Sequence, residues 1–121
     1  MKIGTPREVL DGEARVAMTP DSARMLQKLG FACAIETGAG EKAGFTDAAY
    51  EEAGVEIVKS AERLWADADL IAKVRPPTET EIDRLSKGKV LISFFHPAQN
   101  EAQMRQAADR GATVVAMDMV P

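Results

Sequence analysis

The chain has 121 residues, 45% of them hydrophobic and 28% charged, with a formal net charge of -4; this is the length of one compact domain and the composition of a globular one. Lys and Arg form no clustered run, and no apolar stretch has the length of a signal peptide or a membrane span. Nucleic acid partners and direct membrane insertion are therefore excluded, and a cytoplasmic setting is expected.

Taken in chain order, the first apolar run of strand length covers residues 2–4. A long loop leads to Thr19-Pro20-Asp21, in which Thr19 suits an N-cap, Pro20 the first helical position and Asp21 the positive end of the helix dipole. Ala23, Leu26 and Leu29 are expected to form that helix's buried stripe. A second strand is read over residues 31–36. It contains Cys33, a lone cysteine that excludes an intrachain disulfide and a cysteine-rich zinc cluster and reads as a buried, inert thiol.

The glycine-rich segment Thr37-Gly38-Ala39-Gly40-Glu41-Lys42-Ala43-Gly44 resembles a dinucleotide loop only in composition. Its third glycine follows at the wrong spacing, Glu41 would stand beside the phosphates, and the helix expected from Phe45-Thr46-Asp47 starts too late. A turn built on positive φ angles is the preferred reading. Further strands are expected over residues 55–58, 70–74, 90–95 and 113–117. Between them, Ala61, Leu64 and Trp65 share a helical face suited to core packing or a subunit contact. Pro76-Pro77 marks a sharp exit from a strand, and Thr78 with Glu81 has the spacing of a capping box opening a helix through Leu85. The acidic pairs Glu51-Glu52 and Asp67 with Asp69 read as surface.

Three times a polar helical stretch ends at a glycine and runs straight into a strand, at Gly30, Gly54 and Gly111. Glycine ends a helix in the left-handed conformation without a Cβ penalty, so each is read as a C-terminal cap in a tight helix-to-strand connection. The expected fold class is α/β: a Rossmann-like three-layer domain, residues 1–121, with a mostly parallel sheet flanked by helices on both faces. The sequence stops at Met117-Asp118-Met119-Val120-Pro121 directly after a strand, the point at which a longer protein would be divided.

Ligands of open parallel sheets bind beyond the carboxyl ends of the strands. Arg15, Lys73 and His96 all fall there, in the loop after the first strand, near the end of residues 70–74 and just past residues 90–95. Arg15 offers a planar fork to a carboxylate, Lys73 a point charge or a hydrogen bond to a carbonyl, and His96 a proton exchanged near neutral pH. The bland alternative is two solvated cations and a histidine capping a turn before Pro97.

The opening Ile3-Gly4-Thr5-Pro6-Arg7-Glu8 and the run Glu13-Ala14-Arg15-Val16-Ala17-Met18-Thr19-Pro20 resemble the amino terminus of the alanine dehydrogenase and NAD(P) transhydrogenase family. So do Glu36-Thr37-Gly38-Ala39-Gly40, Ala53-Gly54-Val55-Glu56-Ile57, Lys73-Val74-Arg75-Pro76-Pro77 and Val115-Ala116-Met117-Asp118-Met119-Val120-Pro121, in order along essentially the whole chain. Leu91-Ile92-Ser93-Phe94-Phe95, with Pro97-Ala98-Gln99-Asn100 and the Ala-Met-Asp ending, is similar to the transhydrogenase alpha branch. That branch implies hydride transfer between NADH and NADP+ coupled to proton movement. NAD would be bound mainly by a nucleotide-binding domain outside this chain, and NADP would be the acceptor on another component.

The implied partners are the rest of the alpha subunit, the membrane or beta subunit and a second copy in a homodimer, on the cytoplasmic side. Arg15 and Lys73 match the keto-acid-binding positions of alanine dehydrogenases. His96 matches their acid/base and substrate contact, where transhydrogenases are expected to carry another, often aromatic, residue. The resemblance thus implies either a vestigial pocket or the substrate domain of an alanine dehydrogenase acting on pyruvate and alanine. A non-catalytic binding or assembly module is the third reading.

Overall fold

In a computed structural model, residues 1–94 and 96–119 are described; the last position of the strand expected over 90–95 and the last two residues of the chain lie outside them. Six strands form one sheet: β1 (Lys2–Thr5), β2 (Ala32–Glu36), β3 (Glu56–Val58), β4 (Leu70–Ala72), β5 (Val90–Ser93) and β6 (Thr113–Ala116). The helices between them are α1 (Pro20–Lys28), α2 (Asp47–Glu52), α3 (Ala61–Asp67), α4 (Glu79–Asp83) and α5 (Pro97–Asp109). Each expected strand is present, and every pairing is parallel, in the order β3-β2-β1-β4-β5-β6. The ladder continues past β4, where the Lys73 N–H donates to the Ile92 carbonyl at 3.0 Å.

Local chemistry sets the helix ends. Thr19 Oγ1 accepts from the Ser22 N–H and Ser22 Oγ from the Thr19 N–H, a capping box ahead of Pro20. Thr78 and Glu81 close a second box as their spacing indicates, although α4 ends at Asp83, short of Leu85. Gly30, Gly54 and Gly111 take φ values of 98°, 86° and 83°, so the three helix-to-strand turns use the conformation that glycine adopts most easily. One expectation fails at Leu29, which is 74% exposed. Steps of three residues advance about 300° around a helix, so each falls 60° behind the last and the stripe starting at Ala23 drifts toward solvent. Phe31, at the entrance to β2, packs against that core instead.

Alternate residues along the strands supply the two sides of the sheet. On one side α1 and α2 cover Ile3, Cys33, Ile35 and Ile57, with Tyr50 fully buried and its hydroxyl donating to the Met18 carbonyl at 2.7 Å. On the other, α3 and α5 cover Ala34, Val58, Ile71, Leu91 and Ala116, around Leu64 and Trp65. Gly4 lets α3 come this close to β1, since a Cβ there would lie 2.7 Å from that of Ala68. Cys33 sits in the first core, where burial pushes its thiol above the usual range, as suits an inert side chain. Val90, Ile92 and Val115 alternate onto the side that carries α1 and α2 and are only half-buried.

Connections from β1 lead through α1 to β2 on one side of the sheet, whereas those from β4 lead through α4 to β5 on the other. The chain therefore reverses direction between β1 and β4. Loops leaving the carboxyl ends of these two strands diverge and leave a crevice, the place where doubly wound sheets bind ligands.

Candidate functional site

Loop 6–19 after β1 and segment 73–78 after β4 form the walls of that crevice, and their charged side chains interlock. Glu8, from the first wall, reaches across to the second: its Oε2 accepts from the Val74 N–H at 2.7 Å and its Oε1 from the Arg75 N–H at 3.1 Å. Lys73 Nζ lies 3.3 Å from Glu8 Oε1, 3.4 Å from Glu81 Oε1 and 2.8 Å from the Arg75 carbonyl, with its side chain 1% exposed. The ammonium donates to Glu8 and to the Arg75 carbonyl, and Glu81 adds a second carboxylate at ion-pair distance.

Glu13 forms the second knot. Its carboxylate takes the Arg15 Nε and Nη2 at 3.0 and 2.9 Å, the Arg15 backbone N–H at 2.8 Å and the Arg75 Nε at 2.6 Å. The Arg15 guanidinium, helped by the Arg15 backbone N–H and by Arg75, holds this buried carboxyl well below the usual carboxylate range, against the upward push of burial. A carboxyl depressed in the folded state stabilises the fold above its unfolded pKa, and that contribution is lost as pH falls through the folded value. Stability should therefore start to decline as pH drops through the ordinary carboxylate range and keep declining below it. Denaturant midpoints between pH 6 and pH 3 should show a shallower decline in Glu13→Gln, and identical slopes would contradict the assignment.

Lys73 and His96, two of the three residues singled out from the sequence, line one cleft of about 330 Å³ together with Val9, Leu10, Arg75, Pro76, Pro77, Thr78, Asn100 and Gln103. Arg15, the third, lines a smaller depression of about 70 Å³ on the β1 side, with Arg7, Glu13 and Lys42 among its neighbours. All three follow the carboxyl ends of their strands, but they line two hollows, and the ion pair between Glu13 of one and Arg75 of the other links them. His96 precedes α5 with φ 49°, the one positive φ of a non-glycine among the described residues. Such a backbone costs about 1–3 kcal/mol. It is held by a 2.7 Å hydrogen bond from the His96 N–H to Asp118, whose Oδ2 stands 3.9 Å from the ring Nδ1.

Arg75, Glu8, Glu13 and Glu81 carry the geometry of this edge and drew no site assignment from the sequence. The one signal available was their crowding into the two loops that flank the reversal of strand order. The glycine-rich segment is arranged differently from a phosphate loop: the Asp47 carboxylate accepts from the Gly38 N–H at 2.9 Å and from the Thr37 hydroxyl, so an anion of the protein already takes these donors. Among the described residues there is no group of three or more His, Cys, Asp and Glu able to hold a metal, and no helix long and apolar enough to cross a membrane.

These features define a Rossmann-like α/β domain with a charged crevice at its topological switch point. The chain belongs to the family described as alanine dehydrogenase/PNT, N-terminal domain, whose model matches residues 4–121. It is 62% identical over 121 residues to the NAD(P) transhydrogenase subunit alpha of Cereibacter sphaeroides, covering 100% of this chain and 23% of that protein. It is 41% identical over 120 residues to the alanine dehydrogenase of Halomonas elongata, covering 99% of this chain and 32% of that protein. A solved transhydrogenase from Sinorhizobium meliloti superposes with a TM-score of 0.94 at 33% identity, over 100% of this chain and 36% of the other. The chain thus spans about a quarter to a third of the length of these relatives.

Proposed function

We propose that this chain is the amino-terminal domain, residues 1–121, of the NAD(H)-binding alpha subunit of a proton-translocating NAD(P) transhydrogenase, whose complete protein passes hydride between NADH and NADP+. The observation that carries the reading is 62% identity over all 121 residues to a transhydrogenase subunit alpha, against 41% to an alanine dehydrogenase. In this reading NAD is gripped mainly by polypeptide outside the chain and NADP by another component. Residues 37–44 do not fit a dinucleotide, because Asp47 occupies the donors that a phosphate would need. The proposed partners are the rest of the alpha subunit, the membrane or beta subunit and a second copy in a homodimer, with this domain on the cytoplasmic side.

The substrate domain of an alanine dehydrogenase is the second reading, favoured by Lys73 and His96 lining one cleft. There Arg15 and Lys73 would bind the carboxylate and carbonyl of a keto acid, and His96 would exchange a proton with it. Lys73 is already engaged by Glu8, Glu81 and the Arg75 carbonyl, and would first have to loosen one of these contacts. A non-catalytic assembly module has no observation of its own in support.

The test is an assay of the complete polypeptide for NADH-dependent reduction of an NADP+ analogue, run beside pyruvate amination. The first reaction alone is expected, and the 121-residue chain by itself should give no tight, saturable NADH titration. Substantial pyruvate amination would move the assignment to the second reading, and tight NADH binding by the isolated chain would overturn the division of labour.

A further inference from the structure

β5 and β6 run side by side to the carboxyl edge of the sheet, with Ser93 opposite Ala116. Three residues beyond Ser93 stands His96, and two beyond Ala116 stands Asp118, in the short helical turn Met117–Met119 that follows β6. The register of the two strands thus brings together side chains that are 22 positions apart. Asp118 Oδ2 accepts the His96 backbone N–H at 2.7 Å and lies 3.9 Å from Nδ1 of the same residue's ring.

The His96 backbone is held on its other side as well. Its carbonyl accepts from the Asn100 N–H at 3.2 Å and from the Asn100 side-chain Nδ2 at 3.4 Å, at the point where α5 departs from helical geometry with φ -130° and ψ 28°. A left-handed backbone is seldom taken by a residue with a Cβ, and it persists where the surroundings over-determine it. Starting a helix does not by itself ask for this conformation. Thr19, Thr46, Ser60 and Thr78 open theirs from extended backbone with a side-chain oxygen that accepts from the first turn, whereas His96 makes no such cap.

The ring has a different neighbour on each flank. His96 lines the cleft together with Arg75, whose side chain is 36% exposed, and Asp118 does not line it. The carboxylate therefore stands beside Nδ1 on the flank away from the cleft. In a neutral imidazole one nitrogen carries a proton and the other a lone pair, and the surroundings choose between them. Asp118 draws the proton to Nδ1 and the cation of the cleft repels it from Nε2, so both act in the same direction.

We propose that Asp118 is a positioning residue for His96. It clamps the backbone in its left-handed form and keeps the proton of the neutral ring on Nδ1, so that Nε2 offers the cleft a lone pair that accepts from a hydroxyl or N–H group of a ligand. Neither reading of the function gives Asp118 a role, and the proposal does not depend on which of them holds.

His96 is the only histidine of the chain, so its ring nitrogens can be followed without ambiguity. Long-range proton–nitrogen spectra of the nitrogen-labelled chain at alkaline pH should show Nδ1 protonated and Nε2 bare in the majority form, the reverse of a free imidazole side chain. A strong cross-peak between the His96 amide proton and its own Hα should report the left-handed backbone. Asp118→Asn keeps an oxygen for the backbone N–H and loses the charge, so the cross-peak should stay while the majority proton moves to Nε2. Asp118→Ala should lose both signatures.

A carboxylate with a purely structural role would leave the ring tautomer of Asp118→Asn unchanged. Nε2 protonated in the wild-type chain, an Nδ1 proton that survives in Asp118→Asn, or an undiminished cross-peak in folded Asp118→Ala would each overturn the proposal. Should Asp118→Ala fold poorly, the tautomer in Asp118→Asn decides by itself.

Discussion

Lys73→Met is expected to lower the stability of the chain by about 3–5 kcal/mol, the range seen when one partner of a buried ion pair is removed and the other is left without compensation. Here two carboxylates would be stranded, those of Glu8 and Glu81, each with a side chain about as buried as that of Lys73 itself. The Arg75 carbonyl would lose a donor as well. A loss of this size is a large fraction of the 5–15 kcal/mol that holds a typical domain together. Urea unfolding should show a lower midpoint at an unchanged slope. The double variant Lys73→Met with Glu81→Gln should recover part of the loss, because Gln can still close the capping box with Thr78 while one stranded charge is removed. Wild-type stability in Lys73→Met would mean that the ammonium is not buried between these carboxylates.

Trp65→Ala should cost about 3–5 kcal/mol for a different reason: the site loses a large side chain and the surroundings cannot collapse to fill the space. Trp65 is fully buried in α3, against the sheet surface that includes Ala34, Val58 and Ile71. Its indole N–H has no hydrogen-bond partner among the described residues, so the ring contributes there through packing and not through a polar anchor. Trp65→Phe should therefore cost far less than Trp65→Ala. Equal losses in the two variants, measured by denaturant unfolding, would show that the N–H matters after all.

The strands were legible because each apolar run is short, bounded by turn residues and preceded in three cases by a glycine that stops a helix. Those glycines also made parallel connections the natural reading, since each returns the chain from a helix directly into the next strand. Leu29 was misjudged because a spacing of three alone does not keep pace with the helix, so the stripe leaves the core where α1 ends. At the crevice, position along the chain revealed which loops meet but not which charges pair. Glu13 and Arg75 are 62 positions apart, and Glu8 and Lys73 are 65 apart. Lys73 looked like a free cation because nothing local announces that its partners arrive from a different loop and from the first turn of α4.

Glu8, Glu13 and Arg15 come from the segment after β1, and Lys73, Arg75 and Glu81 from the segment after β4, so every cross-link described among them except Lys73–Glu81, Lys73–Arg75 and Glu13–Arg15 stitches one lip of the opening to the other. Parting the lips would strip several buried charges of their counterparts at once. The opening consequently behaves as an anvil and not as a jaw: its width is fixed by the fold, and any clamping down on a guest falls to whatever faces it from outside.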